Sequence, residues 1–96
     1  MLTNKQKSFL RSESNHLQPL VHIGKSGLTE SVIKQIEEAL EAKELIKVTI
    51  LQNCDQDKNE IAAKLEEQAG IEVVQVIGKI IVLYKESVEK KRIELP

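Results

Sequence analysis

The sequence predicts an α/β fold. One compact domain of order αβαβαββ is expected, with a four-stranded mixed sheet and helices packed on it. Three observations predict it. Apolar residues recur at helical spacing through residues 29–44 and 58–69. Short runs rich in valine and isoleucine stand between those segments and after them. Gly78-Lys79 separates the last two runs by two residues, with glycine at the first central position, as a tight hairpin requires.

The first helix is expected from about Asn4 to His16. Thr3 caps it, and Gln6 three residues on completes a capping box. Its apolar content is thin: Phe9 and Leu10, with Leu2 and Leu17 at the ends. Its other faces carry Lys5, Lys7, Arg11 and Glu13, so it is expected on the surface, presenting lysines. Pro19 then ends helical propensity, because a residue before proline disfavours the α region. Leu20 to Ile23 form the first strand, which stops at Gly24. The second helix spans about Thr29 to Glu44, with Val32, Ile33, Ile36, Ala39 and Leu40 as its buried stripe. Ile46 to Leu51 form the second strand, with Ile46, Val48 and Ile50 on one face. The third helix runs from about Lys58 to Ala69, capped by Asp57 and stopped by Gly70; its stripe is Ile61, Ala62, Leu65 and Ala69. Ile71 to Ile77 and Ile80 to Tyr84 are the hairpin strands. Residues 85–96 read as a polar tail, either a frayed end or an added edge segment. Two strand–helix–strand units predict parallel pairings with right-handed crossovers, and the hairpin adds an antiparallel pair. The spatial order of the strands stays open.

A chain of 96 residues buries one modest core, so a stability of about 5–10 kcal/mol is expected. No apolar stretch reaches the roughly 18 residues of a membrane span. The segment Met1 to Lys5 leads into a polar helix and lacks the apolar core of a signal peptide, so a cytoplasmic location is expected. Cys54 is the single cysteine and has no disulfide partner, consistent with a reducing compartment. Net charge is −1, but the charges are segregated. Residues 1–29 balance to +3, residues 30–72 to −6 and residues 73–96 to +2. Such segregation builds a basic face opposite an acidic one, and a local patch is what a phosphate chain feels within about 10 Å.

The strongest candidate site is the loop Gly24-Lys25-Ser26-Gly27, between the first strand and the second helix. Glycine lets a nucleic-acid backbone approach the main chain closely. The first amides of a following helix are donors for an anion, and Lys25 adds a mobile charge. The same G-x-x-G device clamps nucleotides in KH-type RNA-binding modules. The plain alternative is a tight strand-to-helix turn with an exposed lysine. Other chemistries fail on missing residues. A phosphate-binding Walker loop needs a glycine where Pro19 stands. The Asp55-Gln56-Asp57 cluster has Glu60 where a calcium loop needs glycine, and helix capping explains it better. His16, His22 and Cys54 lack zinc spacing, and neither histidine has a nucleophile or carboxylate partner. No catalytic constellation, metal or cofactor is expected. Phe9 and Tyr84 are the only aromatic residues, so an aromatic stacking platform cannot be built. RNA contact would then rest on backbone clamping, cations and shape, which favours structured or double-stranded RNA.

Beyond these local readings, the chain resembles the bacterial single-domain members of the CRM family (chloroplast RNA splicing and ribosome maturation; the YhbY-like proteins) almost end to end. The resemblance lies in Leu2-Thr3 with Lys5-Gln6-Lys7, in Ile23 to Thr29, and in Glu44-Leu45-Ile46-Lys47-Val48. It continues in Gln75 to Lys79 running into Val82-Leu83-Tyr84-Lys85, and in the closing Ile93-Glu94-Leu95-Pro96. It implies a single CRM-type domain over 1–96, related to the C-terminal domain of bacterial translation initiation factor 3. It implies RNA binding through the loop, association with large-subunit ribosomal precursors, and a role in their maturation without enzymatic activity. By position, Gly24, Lys25, Ser26 and Gly27 are the clamp; Lys5, Lys7 and Arg11 are neighbouring phosphate contacts; Lys79 and Lys85 are weaker candidates on the hairpin. Lys85 departs from the arginine that many relatives carry there; it keeps the charge but loses bidentate phosphate contact. The expected partners are ribosomal RNA and pre-large-subunit particles, with no membrane or small-molecule substrate. The rival reading is an adaptor that binds ribosomal proteins through acidic helix faces, chiefly Glu37, Glu38 and Glu41. Glu44 is read as part of that same exposed surface.

Overall fold

The structure, a computed structural model, describes residues 2–68 and 70–96. Three helices and four strands follow the expected order: α1 (Asn4–Ser14), β1 (Pro19–Ile23), α2 (Glu30–Lys43), β2 (Leu45–Ile50), α3 (Lys58–Glu66), β3 (Glu72–Ile77) and β4 (Ile80–Tyr84). The capping box of α1 is present in full: Thr3 Oγ1 accepts from the Gln6 amide (3.1 Å), and Gln6 Oε1 accepts from the Thr3 amide (3.0 Å). Thr29 and Asp57 cap α2 and α3 without the reciprocal bond: Thr29 Oγ1 accepts from the Val32 amide and Asp57 Oδ2 from the Asn59 amide. The third helix stops at Glu66, short of the expected end, because its last turn tightens: the Gln68 amide donates to Leu65 O and the Ile71 amide to Gln68 O. The expected core residue Ala69 lies outside the described residues.

The sheet order is β1-β2-β4-β3. β1 and β2 are parallel, as the first strand–helix–strand unit predicts. The second unit departs from a directly paired crossover. β2 and β3 run in the same direction, but β4 lies between them, antiparallel to both. The hairpin therefore folds its second strand into the sheet centre. That choice buries β4, whose Ile81, Val82, Leu83 and Tyr84 are all buried, as a continuous apolar run requires. Gly78 alone of the two turn residues has positive φ (56°).

Strand alternation feeds two cores. Ile46, Val48 and Ile50 face α2 and α3, joining Ile36, Leu40, Ile61 and Leu65. Leu45, Val74, Val82 and Tyr84 face the other way and meet α1. The expectation of a merely superficial first helix is therefore corrected. Leu10 has no exposed surface, and Phe9, Leu2 and Leu17 pack around the same cluster. Two well-placed apolar residues suffice because the sheet supplies the rest of the surface.

The tail is not frayed. Ile93 and Leu95 pack into the α1 cluster, and two carboxylates of α2 and its C-cap hold the main chain. Glu44 accepts from the amides of Ser87 (2.8 Å), Arg92 and Ile93 (2.7 Å). Glu41 accepts from the Ser87 hydroxyl (2.7 Å) and the amides of Val88 (3.0 Å) and Glu89 (3.1 Å). The placement of Glu44 on an exposed acidic surface is thus corrected: it is fully buried, at φ 66°. Burial works to raise its pKa, but the three amide hydrogen bonds outweigh it and hold the carboxyl below the ordinary value of 4.5. Glu41 is lowered too, first by the Val88 amide and then by the Ser87 hydroxyl.

Candidate nucleic-acid interface

The loop after β1 is built as a turn. The Gly27 amide donates to Gly24 O (2.9 Å), which leaves Lys25 and Ser26 at the exposed apex. The two glycines play different parts. Gly27 has φ +71°, and a Cβ there would meet Gln56 Oε1 at 2.3 Å. The fold itself demands glycine at 27. Gly24 has no positive φ, and its Cβ would meet nothing nearer than Leu51 Cδ1 at 3.7 Å. Nothing in the packing requires glycine at 24.

Gln56 is the residue that sequence reasoning missed. It sits before α3, far along the chain, and its Oε1 accepts from the Leu28 amide (2.7 Å). This single contact ties the G-x-x-G loop to the β2–α3 connection. The approach to α2 is partly capped: Leu28 donates to Gln56, Thr29 to Gly27 O, and Val32 to Thr29 Oγ1, while the Glu30 and Ser31 amides have no acceptor among the described residues. Glu30 adds a carboxylate to that turn. Lys25 and Ser26 at the turn apex thus stand exposed ahead of a helix start that keeps two amides without an acceptor among the described residues.

Register places the other cations. The turn at Gly78-Lys79 lies at the same end of the sheet as the loop, since Thr49 pairs with Ile80 and the Ile50 amide donates to Lys79 O (2.7 Å). Lys25 and Lys79 thus share one rim. Lys85 follows the opposite end of β4, where its amide bonds Glu44 O, so it sits roughly 20 Å from Lys79 along the strand. The structure does not bring Lys85 to the loop.

The first helix crosses the sheet over the end remote from the loop. Its start is tied to the first residue of β3 by the Leu2 amide on Glu72 Oε1 (3.3 Å), and its end leads into β1. The tail lies along one flank, where Gln6 Nε2 donates to Pro96 O (3.3 Å) and Glu13 lines a groove with Arg92 and Ile93. At about 100° per residue, Lys7 and Arg11 fall on the other flank, toward the loop end of the sheet. Both are half-buried, whereas Lys5 is exposed on the outer side. Of the α1 cations, two therefore lie on the helix flank nearer the end of the sheet that carries Lys25 and Lys79. Glu37 and Glu38 are exposed on α2, which packs against the opposite face of the sheet. Among the described residues no group of three or more His, Cys, Asp or Glu side chains is placed to hold a metal ion. No described helix is long and apolar enough to cross a membrane.

A mixed sheet between helices, with a glycine-bracketed cationic turn at one end, defines a class of small α/β modules. Comparison with known proteins narrows the class. A family model, the CRS1 / YhbY (CRM) domain, matches residues 2–85, and the chain belongs to that family. It is 58% identical over 96 residues to the "Probable RNA-binding protein YqeI" of Bacillus subtilis, covering all of both chains. It is 43% identical over 95 residues to an "RNA-binding protein" of Haemophilus influenzae, covering 99% of this chain and 95% of the relative. The solution structure of the Staphylococcus aureus protein SAV1595 superposes with a TM-score of 0.82 at 54% identity, each chain covered in full.

Proposed function

We propose that this protein binds RNA, and that its target is the ribosomal RNA of large-subunit precursors in the cytosol, whose maturation it assists without itself catalysing a reaction. The observation that carries the reading is the pair of glycines. Gly27 answers a demand of the fold, and Gly24 answers none, while Lys25 and Ser26 stand exposed between them. A bare main chain beside a cation is what close approach of a phosphate backbone needs. The names of the relatives and family membership support RNA as the ligand. Lys79 extends the contact along the same end of the sheet, and Lys7 and Arg11 extend it from the near flank of α1. The rival adaptor reading loses Glu41 to the tail, since that carboxylate already holds three groups.

Salt dependence tests the proposal. Three to five phosphate contacts weaken binding to large-subunit ribosomal RNA fragments by roughly tenfold to several hundredfold between 50 and 200 mM salt. A flat salt response, or no binding to RNA, removes the reading. Charge reversal at Glu37 that abolishes association with precursor particles while loop changes do nothing favours the adaptor instead.

A further inference from the structure

Strand register exposes a feature that composition hides. His22 pairs with Thr49, Thr49 with Ile80, and Ile80 with Ile77. These four side chains form one row across all four strands, on the face that α1 covers lower down. The row itself is outside the α1 core: His22 and Ile77 are exposed, and Thr49 and Ile80 are half-buried. Ile77 keeps 54% of its surface in water. The row lies immediately below the G-x-x-G loop and the Lys79 turn. Lys47 stands one pleat further down on the same face, and no residue that β1, β2 or β4 directs to this face is a carboxylate.

We propose that this open row is the floor on which unpaired RNA bases lie while the neighbouring loop holds their phosphates. The inference rests on the RNA-binding reading and deepens it from a phosphate clamp to a single-strand site; it replaces the preference for double-stranded RNA drawn from the scarcity of aromatic residues, because register brings an imidazole and two isoleucines into one open row. A floor about 14 Å wide, from four strands spaced about 4.8 Å apart and apolar at Ile80 and Ile77, accommodates ring faces. An imidazole is one of the side chains on which bases stack. The Thr49 hydroxyl is a donor and acceptor for a base edge. The rim of lysines matches phosphates that point outward from splayed bases. A duplex offers the reverse arrangement, with bases enclosed and only phosphates and sugars outside.

The test compares a short single-stranded RNA with the blunt duplex of the same sequence. Wild type is compared with His22→Ala/Ile77→Ser and with Lys25→Asp/Ser26→Asp, all checked for folding by thermal melting. Wild type is expected to bind the single strand more tightly. The row variant is expected to lose tenfold or more on the single strand and less than threefold on the duplex, and the loop variant to lose both. Equal binding of the single strand by wild type and row variant overturns the floor and leaves the clamp standing. Loss of neither RNA by the loop variant overturns the clamp itself. If the row variant does not fold, photo-crosslinking of wild type to 4-thiouridine RNA decides: adducts at His22 or Ile77 support the floor, and adducts confined to other residues overturn it. Self-association of wild type that the row variant abolishes, with RNA binding unchanged, assigns the face to a second copy and also overturns it.

Discussion

Replacing Glu44 with glutamine changes one atom in a fully buried side chain and removes its charge. In the native protein one carboxylate oxygen accepts from the Arg92 and Ile93 amides and the other from the Ser87 amide. Glutamine keeps one acceptor. Its amide nitrogen then faces a donor, so the Ser87 amide or its equivalent is left buried and unpaired, at about 1–3 kcal/mol. The two remaining bonds lose charge assistance, at about 0.5–1 kcal/mol each. The total is about 2–5 kcal/mol, or a fall in Tm of about 10–25 °C for a chain of this size. The strained φ of 66° at this position persists in the variant. Thermal melting measures the stability, and hydrogen exchange at residues 87–93 reports release of the tail. The pH dependence follows in sign. Glu41 and Glu44 have folded pKa values below 4.5, so their contribution is complete above the unfolded value and is lost as pH falls through the folded values. Wild type should therefore lose stability more steeply than Glu44→Gln below about pH 4.5. A variant with the wild-type Tm, the same acid slope and the same exchange at 87–93 refutes the account of the tail.

Gly27→Ala and Gly24→Ala should separate fold from function. The first forces an alanine into φ +71° against Gln56 and is expected to cost about 1–3 kcal/mol; the second should melt within about 2 °C of wild type yet weaken RNA binding, because only the ligand meets its new methyl. Equal Tm for the two variants contradicts this division. Gln56→Ala removes the acceptor of the Leu28 amide and should lower RNA affinity through a looser loop while costing about 1 kcal/mol in a denaturant titration; unchanged affinity removes Gln56 from the site. Lys79→Gln should reduce the salt slope of RNA binding by about one phosphate contact, and Lys85→Gln should leave it unchanged; the opposite result places the RNA at the tail end of the sheet.

Much of the fold was legible because the relevant signals are local. The capping box at Thr3 and Gln6, the stripe of Ile36 and Leu40, and the Gly78-Lys79 turn each depend on neighbours a few residues away. What escaped depends on distant partners. The insertion of β4 between β2 and β3 is a choice among strand orders that share one apolar pattern. Leu10 looks isolated in sequence because its partners Leu45, Val82 and Tyr84 come from the sheet. Glu44 reads as one more helix-surface acid until the tail amides close on it. The loop was legible as a motif, but its support by Gln56, the distance of Lys85 and the open row at His22, Thr49, Ile80 and Ile77 follow only from register. His22 carried a faint signal, as a polar residue between Val21 and Ile23 that must face away from their core.

The most direct test of the central claim is the affinity of Lys25→Asp/Ser26→Asp for large-subunit ribosomal RNA fragments at 50 mM salt, beside wild type. Both substituted side chains are exposed, so the variant should melt like wild type. One reversed charge and one added negative charge at the turn apex should lower affinity by about a hundredfold or more. A folded variant that binds as tightly as wild type shows that the loop is only a turn, and the account of this surface as the RNA site is then wrong.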